Sequence, residues 1–294
     1  MARAITRTWY RIALARAGRP PMLVAAIGEH LGVAIAAAEA HTKSYAIAAE
    51  VATGEVVPLG ESVGKAEVVV LGDDPDATPE FRWPAGALPR LGTAGQLAGA
   101  RRGYRTHPDP KLLVIEAQTD AEHLVDLYLG LIERLPAADN LEIRVLDHFE
   151  DAGQTDVWLT SRVNAKKILR FLDDHDVEIL GNGHVEVSVY VRAHKATLRL
   201  TEHKTVLWLA EERALEREVI GWLGELAVPR VDPLVTLEDV PHLHYRPAKS
   251  RDRKKLGEEL YRQRLRRVDT VVRDGARDGA GEADGAAAPR DTDG

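Results

Sequence analysis

The chain has 294 residues, 45% of them hydrophobic and 29% charged, with a net charge of −7 and no cysteine. This is enough for a substantial core in one large domain or two ordinary ones. The lack of cysteine excludes disulfides, thiolate catalysis and cysteine-ligated zinc or iron–sulfur centres. The longest apolar stretch, Leu23 to Ala38, is broken by Glu29 and His30, and arginines at 3, 7, 11 and 16 interrupt any signal-peptide core. No membrane span is expected, and a cytoplasmic location is. Arginine-over-lysine usage with abundant alanine suggests a bacterial gene.

Residues 1–72 read as an N-terminal α/β region: a strand at Trp9–Ala15, a helix opened by prolines at Pro20–Leu31, small-residue strands within Val33–Ala52, and a strand at Val68–Leu71. Residues 73–110 have the glycine, proline and alanine content of a long loop or linker. An α+β domain follows over 111–247. Leu112–Glu116 is an apolar strand leading to the capping-box pattern Thr119-Asp120-Ala121-Glu122. Leu124, Leu127, Tyr128, Leu131 and Leu135 then recur at helical spacing. Strands are expected at Leu141–Leu146 and Asp156–Thr160, and a helix from Ser161 to Asp174.

Between Val177 and Ala210 an antiparallel meander is predicted, with Asn182-Gly183 as a hairpin turn. Val185, Val187, Val189 and Val191 alternate with Glu186, Ser188 and Tyr190, giving one packed and one wetter sheet face. A helix carries Leu215, Val219, Trp222, Leu223 and Leu226. Residues 248–273 read as a basic amphipathic helix, and 274–294, rich in Gly, Ala, Asp and Glu, as a disordered acidic tail. The fold class is therefore α+β: strand–helix–strand units with an antiparallel C-terminal sheet covered by helices.

His242-Leu243-His244 is the clearest metal-ligand pair, because residues i and i+2 of an extended segment share a face. A third ligand is missing locally beyond Glu238 and Asp239. Asp147, His148 and Glu150 gather at a strand end, where a carboxylate and an imidazole suit acid–base or metal chemistry. His41-Thr42-Lys43-Ser44-Tyr45 holds nucleophile types without a glycine elbow, and Gly92, Gly95 and Gly99 lack the lysine of a phosphate loop. None of these is a motif, so the sequence assigns no cofactor, metal or catalytic residue.

The most distinct partner-binding feature is charge. Lys249, Arg251, Arg253, Lys254, Lys255, Arg262, Arg264, Arg266 and Arg267 stand against three acids in the same segment, a net +6 that leaves −13 for the remainder. An acidic body with few aromatics disfavours nucleic acid. The leading expectation is a non-catalytic protein-binding or regulatory protein that uses its half-exposed sheet and this segment. The alternatives are a metal-dependent or acid–base hydrolase built on Asp147, His148, Glu150, His242 and His244, and a nucleic-acid-associated protein acting through Lys249–Arg267.

Overall fold

The structure is a computed structural model that describes residues 7–52, 67–73, 81–146 and 154–272. The fold is mixed α+β, and every pairing between its strands is antiparallel. Three sheets are present among the described residues. No helix among them is long and apolar enough to cross a membrane. The tail expected to be disordered, 274–294, and the cluster Asp147, His148 and Glu150 lie outside the described residues.

The first sheet has the order β3-β1-β2-β4. Strands β1 (Thr8–Arg16) and β2 (Arg19–Gly28) form a tight hairpin in which Arg16 faces Arg19. Gly18, at φ +66°, supplies the backbone conformation such a two-residue turn needs. Where a helix is expected over 20–31, Arg19–Gly28 is therefore strand and Leu31 already belongs to the following helix. The run Met22–Ile27 is apolar throughout, so no periodicity distinguished helix from strand, and the prolines sit at the strand's start, where a missing N–H is tolerated. The converse holds for the strands expected in 33–52: Leu31–Thr42 is helix α1, followed by β3 (Ala46–Val51). Alanine is the best helix former, and α1 ends where Lys43 turns left-handed and donates its N–H to Glu39. Strand β4 (Val68–Asp73) completes this sheet.

Residues 81–110 of the expected linker, the part that is described beyond Asp73, contribute strands and core side chains. They contain β5 (Ala87–Pro89), a 3-10 turn at Ala94–Leu97 and β6 (Gly103–His107). Trp83, Leu88, Leu97 and Ala100 are buried with Ile12, Val24 and Ile35. A few well-spaced apolar anchors suffice to fasten a glycine-rich segment whose average composition looks loop-like. Leu237, Val240 and Tyr245, much later in the chain, join the same core.

The largest sheet has eight strands in the order β14-β9-β8-β10-β11-β12-β7-β6. They are β7 (Leu112–Gln118), β8 (Asn140–Val145), β9 (Gln154–Leu159), β10 (Val185–Val191), β11 (Ala196–Leu200), β12 (Val206–Glu211) and β14 (Arg266–Val272), with β6 at the edge. The four valines of β10 pack with Leu198, Trp208, Ile115 and Ile143 against helices α2 (Leu124–Arg134), α3 (Ala165–Asp174), α5 (Glu216–Glu225) and α6 (Arg253–Arg262). The alternation read in β10 thus divides a packed face from one carrying Glu186, Ser188 and Tyr190. That second face is no open apolar surface. Tyr190 donates to Glu142 at 2.6 Å, Arg144 pairs with Glu142, and Arg105 and His107 both meet the buried Glu116.

Strand–helix–strand units are not realised as neighbouring strands. β1 lies between the strands that flank α1, and β7 and β8 are separated by three others. The proposed capping box is also absent: α2 begins later, and Asp120 instead accepts from the Glu122 N–H at 3.0 Å. Asn182-Gly183 is a turn out of the short helix α4 (Asp176–Ile179) into β10, not a hairpin. The basic helix is shorter than expected. α6 stops at Arg262, Arg264 turns left-handed at φ +66°, and the chain returns as β14 beside β9. The sequence there carries no glycine or proline to announce the reversal.

Candidate metal centre

Strand β13 (His242–His244) pairs with β5, with His242 opposite Pro89 and His244 opposite Ala87. The pairing holds the segment extended and sends both imidazoles to one side. A third imidazole comes from the connection between β11 and β12. There Thr201–Thr205 forms a tight turn: Thr201 and Thr205 exchange a backbone bond at 2.9 Å, and Lys204 is left-handed at φ +64°. This turn presents His203 to the other two. One ligand atom from each of His203, His242 and His244 lies within 4.8 Å of the others.

The hydrogen bonds around the cluster decide which ring nitrogens face inward. His242 Nδ1 is 2.7 Å from the Val240 carbonyl. A carbonyl only accepts, so Nδ1 carries the proton and Nε2 presents its lone pair in the neutral ring. His203 Nδ1 is 3.1 Å from Glu238 Oε1. The bond from His203 holds the Glu238 carboxyl below the ordinary carboxylate range, with burial opposing it. A carboxylate only accepts, so His203 Nδ1 is the donor in this bond. His242 Nε2 and His244 Nε2 are 3.1 Å apart. Two imidazole nitrogens bound tetrahedrally to one ion at about 2.0–2.1 Å would be roughly 3.3 Å apart. The pair is close to ligating distance, and the 4.8 Å spread of the three exceeds that spacing by about 1.5 Å.

Burial favours the neutral form of His242. It pushes the His242 pKa down, helped by the nearby His203 and opposed by the Val240 carbonyl. All three rings are half-buried, so the cluster is reachable from solvent. Glu202 stands beside it, with Oε1 3.9 Å from His203 Nε2. Beneath the turn, the Lys204 side chain is fully buried, and its ammonium donates to Asn182 O at 2.6 Å and Val185 O at 3.3 Å. Its pKa is pushed down to about 7 by burial, with Glu186 and Glu202 acting the other way.

Glu238, considered from the sequence as a direct ligand, instead orients a ligand. The sequence reading did not find His203. It lies 39 positions before His242 in a polar turn, and the only trace of it is the charged string Thr201-Glu202-His203-Lys204-Thr205 between two alternating strands.

Several of the other candidate residues pair within the chain. In the basic segment, Arg251 pairs with Glu178 and Glu259, Arg253 and Arg267 with Asp156, Lys255 with Asp252, and Arg262 with Glu259 and Glu258. Lys249, Lys254, Arg264 and Arg266 make no ion pair among the described residues. In the 41–45 string, Lys43 ends α1 and Tyr45 lies under the Arg82 guanidinium at 4.7 Å. Compared with known proteins, the chain matches no family model, no curated sequence and no solved structure.

Proposed function

We propose that the chain is a metal-dependent hydrolase whose centre is one divalent ion of the zinc class held by His203, His242 and His244. The observation that carries this reading is the convergence of three half-buried imidazoles, with His242 Nδ1 held by Val240 O and His203 Nδ1 by Glu238. An acidic partner on the far nitrogen of a ligand histidine is the usual second layer of such centres. A set of three protein ligands is the number found in catalytic zinc sites, whereas structural zinc is closed by four. An ion there would supply acidification of a bound water. Glu202 is the residue placed to take up a proton, and the histidines and Glu238 hold the geometry.

The partner-binding reading through Lys249–Arg267 has less support, since five of its nine cations already pair within the chain. Protein capture with and without Lys249, Lys254, Arg264 and Arg266 would revive it if capture depended on those charges.

The test is calorimetric titration of the metal-stripped protein with zinc and with cobalt, alongside hydrolysis of an activated aryl ester. One ion per chain is expected. His203→Ala, His242→Ala and His244→Ala should each weaken binding by about 100-fold or more while circular dichroism stays unchanged. Glu202→Gln should keep the ion yet lower turnover by about 10²-fold or more, the usual scale for a lost general base. Binding that ignores the three histidines would overturn the site. Binding without any metal-dependent turnover would leave a metal-binding protein and overturn the hydrolase.

A further inference from the structure

A second concave site lies far from the histidines in sequence, where the connection from β9 to α3 meets the turn that ends α6. It is a cavity of about 300 Å³, at the small end of the range for small-molecule sites. Its floor is hydrocarbon: Leu141, Val163, Ile168, Phe171 and Leu265. Its rim carries Arg162, Lys167 and Arg264 with the hydroxyl residues Thr160 and Ser161, and no carboxylate lines it. In a chain of net charge −7, that lining is a local inversion of the overall balance.

The three cations are not equivalent. Arg162 is compensated by Asp139, 3.2 Å away. Lys167 and Arg264 have no ion-pair partner among the described residues, so two positive charges stand uncompensated over an apolar floor. Lys167 lies in the first turn of α3, whose Asn164 cap accepts the Lys167 N–H at 3.1 Å.

The backbone at Arg264 adds an independent observation. Arg264 occupies the left-handed position that ends α6, at φ +66°, with its N–H bonded to Tyr261 O at 2.9 Å. Glycine is the residue this position favours, because any side chain is strained there. The next residue, Leu265, is 2% exposed and forms part of the cavity floor. The same strained turn thus places an arginine on the rim and a leucine beneath it.

We infer that this cavity binds a small organic anion with an apolar body, an aromatic or branched-chain carboxylate. Its hydrocarbon lies on Phe171, Ile168 and Val163, and its carboxylate is met by Lys167 and Arg264. Charge-assisted bonds to an ionised oxygen are the strong ones, and the apolar floor rejects small hydrated anions that cannot cover it. The site is independent of any metal at His203, His242 and His244.

The experiment uses the full chain and three probes of known structure, benzoate, benzyl alcohol and acetate, titrated by calorimetry and by chemical-shift perturbation. Benzoate is expected to bind saturably, and each of the other two at least about tenfold more weakly, because one lacks the charge and the other the apolar body. Arg264→Gly relieves the backbone strain, so its melting temperature should hold or rise while benzoate affinity drops about tenfold or more. Val163→Trp should fill the cavity and abolish binding. Acetate or benzyl alcohol binding as well as benzoate would overturn the proposal, reducing the site to surface charge in the first case and an apolar hole in the second. So would the absence of saturable benzoate binding, or full affinity in both variants.

Discussion

Glu238 accepts from His203 Nδ1 in the candidate centre and so fixes which nitrogen of that ring is occupied. Glu238→Gln retains an acceptor and loses the charge. It is expected to weaken zinc binding about 10- to 100-fold, the usual effect of removing an outer partner, in the same calorimetric titration. Lys204, the next residue after His203, has a different task. Its ammonium is the donor for two buried carbonyls, and Lys204→Met would strand both. A loss of about 1–3 kcal/mol is expected, read from urea denaturation at neutral pH.

A third residue sets an acid limit. His30 precedes α1, and its pKa is pushed down to about 4, first by burial and then by the charge of Arg246. In the unfolded chain the ring regains its ordinary value near 6.5. As pH falls, the unfolded state therefore takes the proton first. The stability this neutral ring contributes is complete above about pH 6.5 and is lost progressively toward pH 4. His30→Gln should flatten that part of the stability–pH curve, and an unchanged slope would assign the acid loss to other groups.

At the scale of elements, the centre depends on how closely β13 can approach its neighbours. Tyr245, which follows His244, donates its N–H to Gly86 at 2.8 Å and accepts from Gly183 at 3.0 Å. A Cβ on Gly183 would stand 1.8 Å from Gly86 O. Gly183→Ala must therefore shift the Gly86 backbone, and with it the β5–β13 pair that carries His242 and His244. A destabilisation of about 2–4 kcal/mol is expected, together with weaker zinc binding. A variant of full stability and affinity would show that the approach can relax at little cost.

Elements also show what could be read beforehand. β10 and α2 were legible because each has one wet and one packed face, so period 2 and period 3.6 appear in the sequence. β2 and α1 were exchanged because small apolar residues fill both, and such runs carry no period. The hairpin at Gly18 and the reversal at Arg264 set where strands begin, and only the first has a residue that signals it. The site was legible by half. Two ligands adjacent on one strand can be paired by spacing alone, whereas the third and its Glu238 support depend on a sheet pairing that no local pattern encodes.

For the molecule as a whole, the candidate centre lies at a junction. His203 sits on the turn joining β11 and β12 of the eight-stranded sheet, while β13 is paired to β5, beside Leu88, Val240 and Tyr245 of the other core. An ion bound there ties the two cores together and binds only the folded chain. Zinc at 100 times its dissociation constant should add about 2.7 kcal/mol by mass action. This should be seen as a rise in melting temperature that a chelator reverses and His203→Ala removes. A rise that survives His203→Ala would place the ion elsewhere.

The way the sheets end has a further consequence. An outermost strand offers unpaired amides and carbonyls to any other strand, including one from a second copy of the chain. Two such borders are covered from within. Tyr104 of β6 bonds with Pro229 and Val231, and Ala49 of β3 accepts from Leu91. β14 is the opposite border of the eight-stranded sheet among the described residues, and no segment covers it there. It opens with Arg266 and Arg267, both exposed, beside an exposed Val268. Arg267 is paired with Asp156, so Arg266 is the charge on this border that would oppose a copy stacking alongside. Replacing Arg266 with valine would make the border more apolar, and the chain should then turn turbid on concentration while its folded spectrum is unchanged.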